Sequence, residues 1–446
     1  MTKPNPQDVL DRLIRAAGAA GADAADALLV ESVSANVSYR LGKLEEVERA
    51  ESADLGLRVF VGQRVAFVSS TDFSRDALDA LPVRAVAMAR LAPEDKFAGL
   101  APRDLLTKSI PNLDLEDPRE PPVETLIDRA RATEGAAMAV SGVTNSEGGG
   151  ASFSRNAVSL ATSQGFYGRY AGTNHGIGVA VLAGEGVNMQ MDHDSASARH
   201  ADDLDKPEII GIRAGERAVA RLNPRKIKSQ PVPIVYDPRV ANGLVGHFAN
   251  AISGVSIARG VSFLKAMMGS RVFAPGINIV DDPHRRRGLR SKPFDGEGVA
   301  NVRHKLIADG TLTTWLLDCA SARQLGLKST GHAARGTGGP PSPAPTNLYM
   351  EAGKISPREL MADIKSGFYV TELMGMGVNG VTGDYSRGAS GFWIENGEIS
   401  YPVAEVTIAG NLKEIFLHLT PADDLAFRYG TNAPTVRIEG MTVAGA

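Results

Sequence analysis

The sequence predicts an α+β protein: N-terminal and middle α+β units followed by a mostly antiparallel β C-terminal domain. Three observations carry this. Helix-period and strand-period segments succeed one another over the first 228 residues. A Pro- and Asp-rich stretch, 92–122, divides them. The 48 glycines grow denser in the C-terminal half, where Asp-Gly and Asn-Gly pairs separate short apolar runs, the mark of tight β-turns.

In residues 7–20, Val9, Leu10, Leu13, Ile14 and Ala17 recur at helical spacing. Next, Val33, Ala35, Val37 and Tyr39 alternate with polar neighbours, as a half-buried strand requires. "LRVFVGQRVAFV" reads as a hairpin turning at Gly62 and Gln63. "SRDALDALPVRAVAMARL" reads as a helix capped by Ser74 and interrupted by Pro82. These elements define an N-terminal domain, 1–91, and 92–122 is its linker. The middle domain, 123–228, holds a helix over about 123–140, antiparallel strands over 156–192 and an amphipathic helix over 206–223. The C-terminal domain, 229–446, opens with a short buried strand, "PVPIVYD", and a helix candidate, "YDPRVANGLVGHFANAISG" (236–254). Turns at Asp309–Gly310 and Asn396–Gly397 punctuate the strands that follow. One further helix is predicted near 356–366, with Ser356 and Pro357 at its cap and first turn.

Charge is balanced, 48 basic against 51 acidic residues, which argues against a dedicated nucleic-acid binder. The densest basic run, "HRRRG" (284–288), adjoins Asp281 and Asp282 and reads as a solvated loop. Cys319 is the sole cysteine, so an intrachain disulfide and a Cys-rich zinc motif are excluded. The N-terminus lacks the basic and apolar regions of a signal peptide, and no run of about 18 apolar residues predicts a membrane span. A cytoplasmic, reducing location is expected.

Four constellations bear on chemistry. Asp192–His200, with His193, His200 and Asp194, matches no metal-ligand spacing and reads as an exposed loop. Ser329–Met350 is rich in Gly and Pro but lacks the Gly-Lys-Ser/Thr of a phosphate loop; a binding lid and a flexible connector both fit it. Thr371–Glu398 carries closely spaced glycines that would let a peptide main chain add as a strand, or that mark a bulged sheet edge. Asp384 and Arg387 within it are candidates to pair with each other. Finally, the 236–254 helix holds His247 in its middle. A zinc hydrolase needs several ligands and a carboxylate base. Here one histidine stands without a nearby acid, so a structural histidine is the simpler reading.

The C-terminal half resembles the TldD/PmbA family, the paired chains of a bacterial metalloprotease. The resemblance rests on "VTELMGMGVNGVTGDYSRGASGFWIENGEISYPVAEVTIAGNL" (370–412), "STGHAARG" (329–336), "PTNLYMEAG" (345–353) and "APTVRIEGMTVAG" (433–445). It is closest to the PmbA branch, also called TldE. In the TldD branch the matching helix carries His-Glu-x-x-x-His, which binds zinc and supplies the catalytic glutamate, and a cysteine near the C-terminus completes the ligands. Aligned through Gly254, the two histidine positions fall on Val245 and Asn250 and the glutamate position on Gly246. The cysteine position falls in "FRYGTNAP" (427–434), which has none, and Cys319 lies in another segment.

The resemblance therefore implies a degenerate subunit with no catalytic residue and no metal of its own. It would pair with a zinc-bearing TldD-like subunit in a heterodimer that cleaves unfolded or short peptides. His247, His332, Gly383, Asp384 and Arg387 are the residues expected to face substrate. Nucleic-acid and membrane partners are not expected, and a homodimer of the isolated chain is compatible with this reading. Two alternatives remain open. One is a self-sufficient metallohydrolase with ligands drawn from His247, His332, His175 or Asp384. The other is a non-enzymatic, peptide-binding homo-oligomer.

Overall fold

A computed structural model describes residues 5–445. Helix α1 (Pro6–Ala19) buries Val9, Leu10, Leu13 and Ala17. Strands β1 (Ala24–Arg40), β2 (Lys43–Val61) and β3 (Arg64–Ser70) follow as an antiparallel meander, with Gly62 and Gln63 between the last two. Helix α2 (Arg75–Leu91) is capped by the Ser74 side chain, which accepts from the Ala77 amide. The break expected at Pro82 does not occur; the helix runs through it. A proline inside a helix costs about 3 kcal/mol. Burial of Leu78, Leu81 and Val86 on the same face, at roughly 1.5–3 kcal/mol each, outweighs it.

Helix α3 (Val123–Met138) leads into β4 (Val143–Thr162), β5 (Tyr167–Ala183) and β6 (Gln190–Ala198), and α4 (Pro207–Ala220) closes this part. Because β4 pairs along β1, the six strands form one antiparallel sheet in the order β3-β2-β1-β4-β5-β6. Period two then assigns the faces. Ala25, Ala27 and Leu29 of β1 pack on α1 and α2, and Ala35 and Val37 of the same strand pack on α3 and α4. All four helices thus cover one face. The opposite face, with Leu28 and Leu160, meets Phe294 of the C-terminal domain. The segment Asp192–His200, expected as a loop, is edge strand β6 and its end: buried Asp194 faces Arg217 of α4, buried Asp192 faces Arg221 at that helix's C-cap, and alternate residues face solvent.

The connector 92–122 packs closely. Leu100, Ala101, Leu113 and Leu115 are buried, and the Thr107 amide donates to the Gly298 carbonyl at 2.9 Å. Asp117 anchors its end by accepting from the amides of Ala201 (2.9 Å) and Arg119 (3.0 Å). Burial alone would raise this carboxyl, but those amides and the Arg119 side chain hold it at about 2. A depressed folded value means the stabilisation is present above the ordinary carboxyl range near 3.8 and is lost as pH falls toward 2. Acid unfolding followed by circular dichroism should therefore steepen between about pH 4 and pH 2. Asp117→Asn should flatten that limb; an unchanged profile would show the carboxylate is not preferentially bound in the fold.

The C-terminal domain contributes the short strands β7 (Gln230–Pro231), β8 (Ile234–Tyr236), β9 (Ile279–Asp281), β10 (His304–Ala308), β11 (Thr311–Leu312), β12 (Ala333–Ala334), β13 (Ser342–Pro343) and β14 (Leu348–Met350). The longer β15 (Ser366–Met374), β16 (Asp384–Glu395) and β17 (Glu398–Asn411) follow, then β18 (Leu419–Pro421), β19 (Thr431–Asn432), β20 (Val436–Ile438) and β21 (Thr442–Ala444). Helix α5 (Pro238–Ala251) and the short α6 (Gly254–Ala258), α7 (Cys319–Leu325), α8 (Pro357–Met361) and α9 (Leu412–Leu417) lie among them. The main sheet has eight strands in the order β18-β20-β8-β15-β16-β17-β21-β7, and β9, β10, β11, β14 and β19 form a second sheet. Asp309–Gly310 and Asn396–Gly397 are two-residue turns with positive φ at both positions. Helix α8 carries a capping box between Ser356 and Glu359 but stops at Met361, short of the expected 366, because Ser366 onward is drawn into the sheet beside β8. Within the glycine-rich Thr371–Glu398, β16 lies between β15 and β17, with register shifts at Ala389/Gly391 and Phe392/Ile394, while β15 past Val370 pairs with β16 alone. Among the described residues, no helix is long and apolar enough to cross a membrane.

The Gly- and Pro-rich 329–350 segment straps the C-terminal domain to the first sheet. The Arg335 guanidinium donates to Asp26 of β1 at 2.8 Å, and the Thr337 hydroxyl donates to Asp54 of β2. Gly56 of β2 makes the crossing possible, since a Cβ there would lie 2.3 Å from the Thr337 carbonyl oxygen. The "HRRRG" run is likewise tied down: Arg286 and Arg287 pair with Asp114, Arg287 also with Asp203, and Arg285 lies over the Phe427 ring.

Candidate functional site

Helix α5 is tied down at its start. Its cap Asp237 accepts from the Arg239 amide at 2.9 Å and from the Tyr369 hydroxyl at 3.0 Å. Arg239 reaches on to Asp192 of β6 at 2.9 Å, so the start of the helix is bonded to both large sheets. Leu244, Val245 and Phe248 point into the main apolar core. Phe248 meets Phe273 edge-on at 5.2 Å and Phe416 at 6.3 Å. Gly254 ends the segment against Ser321 and Leu317; a Cβ there would sit 2.5 Å from the Ser321 hydroxyl.

The outward stripe of α5 is made of Asn242, Gly243, Gly246, His247 and Asn250. Beyond Gly243 and Gly246 there is open space. Over His247 stands Tyr385 of β16, ring edge to ring face at 6.0 Å, and the Tyr236 hydroxyl donates to that of Tyr385 at 3.3 Å. Burial, and next the Arg387 charge, push the His247 imidazole below its usual range, so it is neutral at pH 7. Burial raises both tyrosines, which stay protonated. A neutral His247 thus stands against Tyr385, with the Arg387 charge acting on it.

The other sequence candidates lie elsewhere. Val245 is in the core while Asn250 is exposed, as positions about 140° apart on a straight helix must be. Gly383 takes a positive φ of 88° and closes the turn before β16. Asp384 does not pair with Arg387, because residues three apart on a strand face opposite ways. Its carboxylate accepts from the Thr382 hydroxyl (2.6 Å) and the Asn411 amide (3.0 Å), which lower its pKa. Arg387 instead donates to the Met374 carbonyl at 3.1 Å. His332 belongs to a buried polar cluster at the β9–β14 junction: its Nε2 lies 3.2 Å from Asp281, its Nδ1 2.8 Å from the Thr330 hydroxyl, and Asp281 also accepts from Thr346. His175 lies between Phe153 and Asp117 inside the first sheet region. Cys319 is buried against Ala101 and Val299; burial, and next Glu297, push its thiol up. Among the described residues, no three His, Cys, Asp or Glu side chains converge in a way that could hold a metal ion.

Two features of the site had no clear signal in the sequence. Tyr236 and Tyr385 look like ordinary strand residues until β8 and β16 are placed on either side of β15. The Asp192–Arg239 bond joins segments 47 residues apart, and only the fold brings them together.

Comparison with known proteins agrees with this architecture. Family models described as PmbA/TldA metallopeptidase match in three consecutive parts: domain 1 over 25–89, the central domain over 116–222 and the C-terminal domain over 229–445. "Metalloprotease PmbA" of Escherichia coli O157:H7 is 39% identical over 418 residues, covering 93% of this chain and 91% of that one. "Metalloprotease PmbA homolog" of Haemophilus influenzae is 35% identical over 412 residues, covering 92% and 90%. The crystal structure of TldE from Thermococcus kodakarensis shares the fold at a TM-score of 0.86 and 22% identity, over 98% of this chain and 99% of that one. With these matches spanning nearly its whole length, the chain belongs to the PmbA/TldD metallopeptidase family, on its PmbA (TldE) side.

Proposed function

We propose that this chain is the non-catalytic subunit of a two-chain zinc metallopeptidase acting on unfolded or short peptides, with the zinc and its catalytic glutamate held by a TldD-type partner. The observation that carries the reading is the composition of α5. Where the resemblance places ligands and base, the helix has Val245 turned into the core, Gly246 and exposed Asn250. His247 is the one imidazole on its open stripe, and it faces Tyr385 rather than a second donor. These residues do not fit a zinc ion, which takes three or four N, S or O ligands. The open space over Gly243 and Gly246 leaves room for an extended main chain to approach the helix. A neutral His247 would contact such a chain without performing chemistry on it. The pair would work in the cytoplasm.

The test is reconstitution. The chain alone should carry no stoichiometric metal in native mass spectrometry and should not cleave a fluorogenic peptide. Mixed with a TldD-type chain bearing His-Glu-x-x-x-His, it should form a mixed dimer that does, and replacing that motif's glutamate should remove turnover. His247→Ala in the mixed dimer should leave kcat/KM within a few-fold. One zinc per isolated chain, or a loss of roughly a thousandfold on His247→Ala, the scale of a missing catalytic group, would overturn the assignment.

A further inference from the structure

The seam between the helix-free face of the first sheet and the C-terminal domain holds an open pocket of about 350 Å³. Its sheet wall is Asn156, Val158, Tyr170 and Gly172; Arg199, Arg290 and Lys292 line the rest together with Leu115 and Pro345. Three cations thus meet in one cavity with no carboxylate in its lining, in a chain whose net charge is −3. Among the described residues, none of the three forms an ion pair. Arg199 donates to the carbonyls of Thr173 (3.0 Å), Gly288 (3.3 Å) and Leu289. A guanidinium has five N–H donors, so two remain uncommitted by these bonds. Lys292 donates to the Ala333 carbonyl at 2.9 Å, and Arg290 to the Thr431 hydroxyl at 3.4 Å. Asp295 and Asp281 act on Lys292 only from beyond ion-pair distance.

The neighbouring arginines show that this is a local choice. Arg286 and Arg287 are spent on Asp114 and Asp203. Gly172 keeps the cavity's geometry, since a Cβ there would come within 3.0 Å of the Arg199 guanidinium. Buried charges are ordinarily paired, because leaving one uncompensated costs several kcal/mol. Burial does push both Arg199 and Lys292 below their usual ranges. Part-buried Arg199 and Lys292 and exposed Arg290, none of them in an ion pair among the described residues, face an open volume whose wall is apolar only in part, and an anion there would complete them.

We infer that this cavity binds an oxyanion, a carboxylate or phosphate, carried on a small ligand with an apolar body. The oxyanion would sit among Arg199, Arg290 and Lys292, with Leu115, Val158 and Pro345 against the apolar part. This site is separate from the α5 stripe, and its test needs no partner subunit, so it stands or falls apart from the peptidase reading.

The experiment is thermal unfolding of the isolated full chain at constant ionic strength. The additives are inorganic phosphate, an N-acetyl dipeptide with a free carboxylate, the same dipeptide as its amide, and sodium chloride. A saturable rise in Tm is expected with phosphate or with the free acid, and none with the amide or chloride. A response to phosphate alone identifies a phosphorylated ligand; a response to the acid identifies a terminal carboxylate. Arg290→Gln, at the exposed mouth, should weaken the effect at least tenfold in apparent Kd. Lys292→Met should do the same while leaving the ligand-free Tm unchanged or raised, since it removes a buried charge; if it does not fold, Arg290→Gln decides. No saturable rise, an equal rise with chloride, or an undiminished rise in Arg290→Gln overturns the proposal.

Discussion

Replacing Asp26 with alanine is expected to destabilise the protein by about 3–5 kcal/mol, the cost of stripping one partner from a buried charge cluster. Asp26 sits on β1 facing the C-terminal domain and is 1% exposed. It accepts from Arg58 Nε at 2.9 Å, directly across the strand pair, and from Arg335 at 2.8 Å. Burial would raise its pKa, but the two guanidiniums, Arg335 foremost, hold it down. Without the carboxylate, Arg58 keeps only Glu297, at 3.6 Å, and Arg335 keeps no ion pair among the described residues. Urea unfolding of Asp26→Ala measures the loss. Asp26→Leu combined with Arg335→Met should recover part of it, because apolar replacement of both partners removes the unpaired charge as well as the pair. A single-variant loss below about 1 kcal/mol, the worth of a surface pair, would mean the seam is wet and the cluster contributes little.

Phe248→Ala should be almost as costly, about 3–5 kcal/mol, the usual range for deleting a buried phenyl ring. Phe248 is fully buried beneath α5, against Phe273 and Phe416, which stack on each other at 4.4 Å. Its neighbour in sequence, His247, lies on the open stripe and should tolerate alanine with little change in Tm. The contrast between adjacent positions reads out the helix's orientation directly. If His247→Ala is the more damaging of the two, α5 is turned the other way.

Local pattern made much of this fold legible. The stripe of Val9, Leu10, Leu13 and Ala17, the Ser74 cap and the turns at Gly62–Gln63, Asp309–Gly310 and Asn396–Gly397 depend on residues close together in the chain, and they hold. What depends on distant partners was not legible. Nothing near Pro82 announces that the sheet will bury the helix through it. Nothing in "DHDSASARH" says that β5 will pair with it, or that arginines of α4 and its C-cap will meet its acids. The glycines of 371–398 suggest close backbone approach, and it occurs: a Cβ on Gly391 would lie 1.9 Å from the Tyr369 carbonyl oxygen. At Gly391 the approaching backbone is the chain's own. At the candidate site the helical span of α5 followed from local pattern. The Tyr385 lid and the seam cavity needed three dimensions, because their residues come from segments more than a hundred positions apart.

The strap from Arg335 to Asp26 spans 309 residues, and that distance is also a delay. At roughly 5–20 residues per second, a ribosome that has just released β1 needs about 15–60 s to deliver Arg335. Throughout that interval Asp26 and Arg58 face water on a half-finished sheet, and until β4 emerges β1 has an open edge along its length. Two charges facing each other on such a face discourage pairing with a stray chain. The pair that locks the domains together is thus complete only when the C-terminal domain arrives.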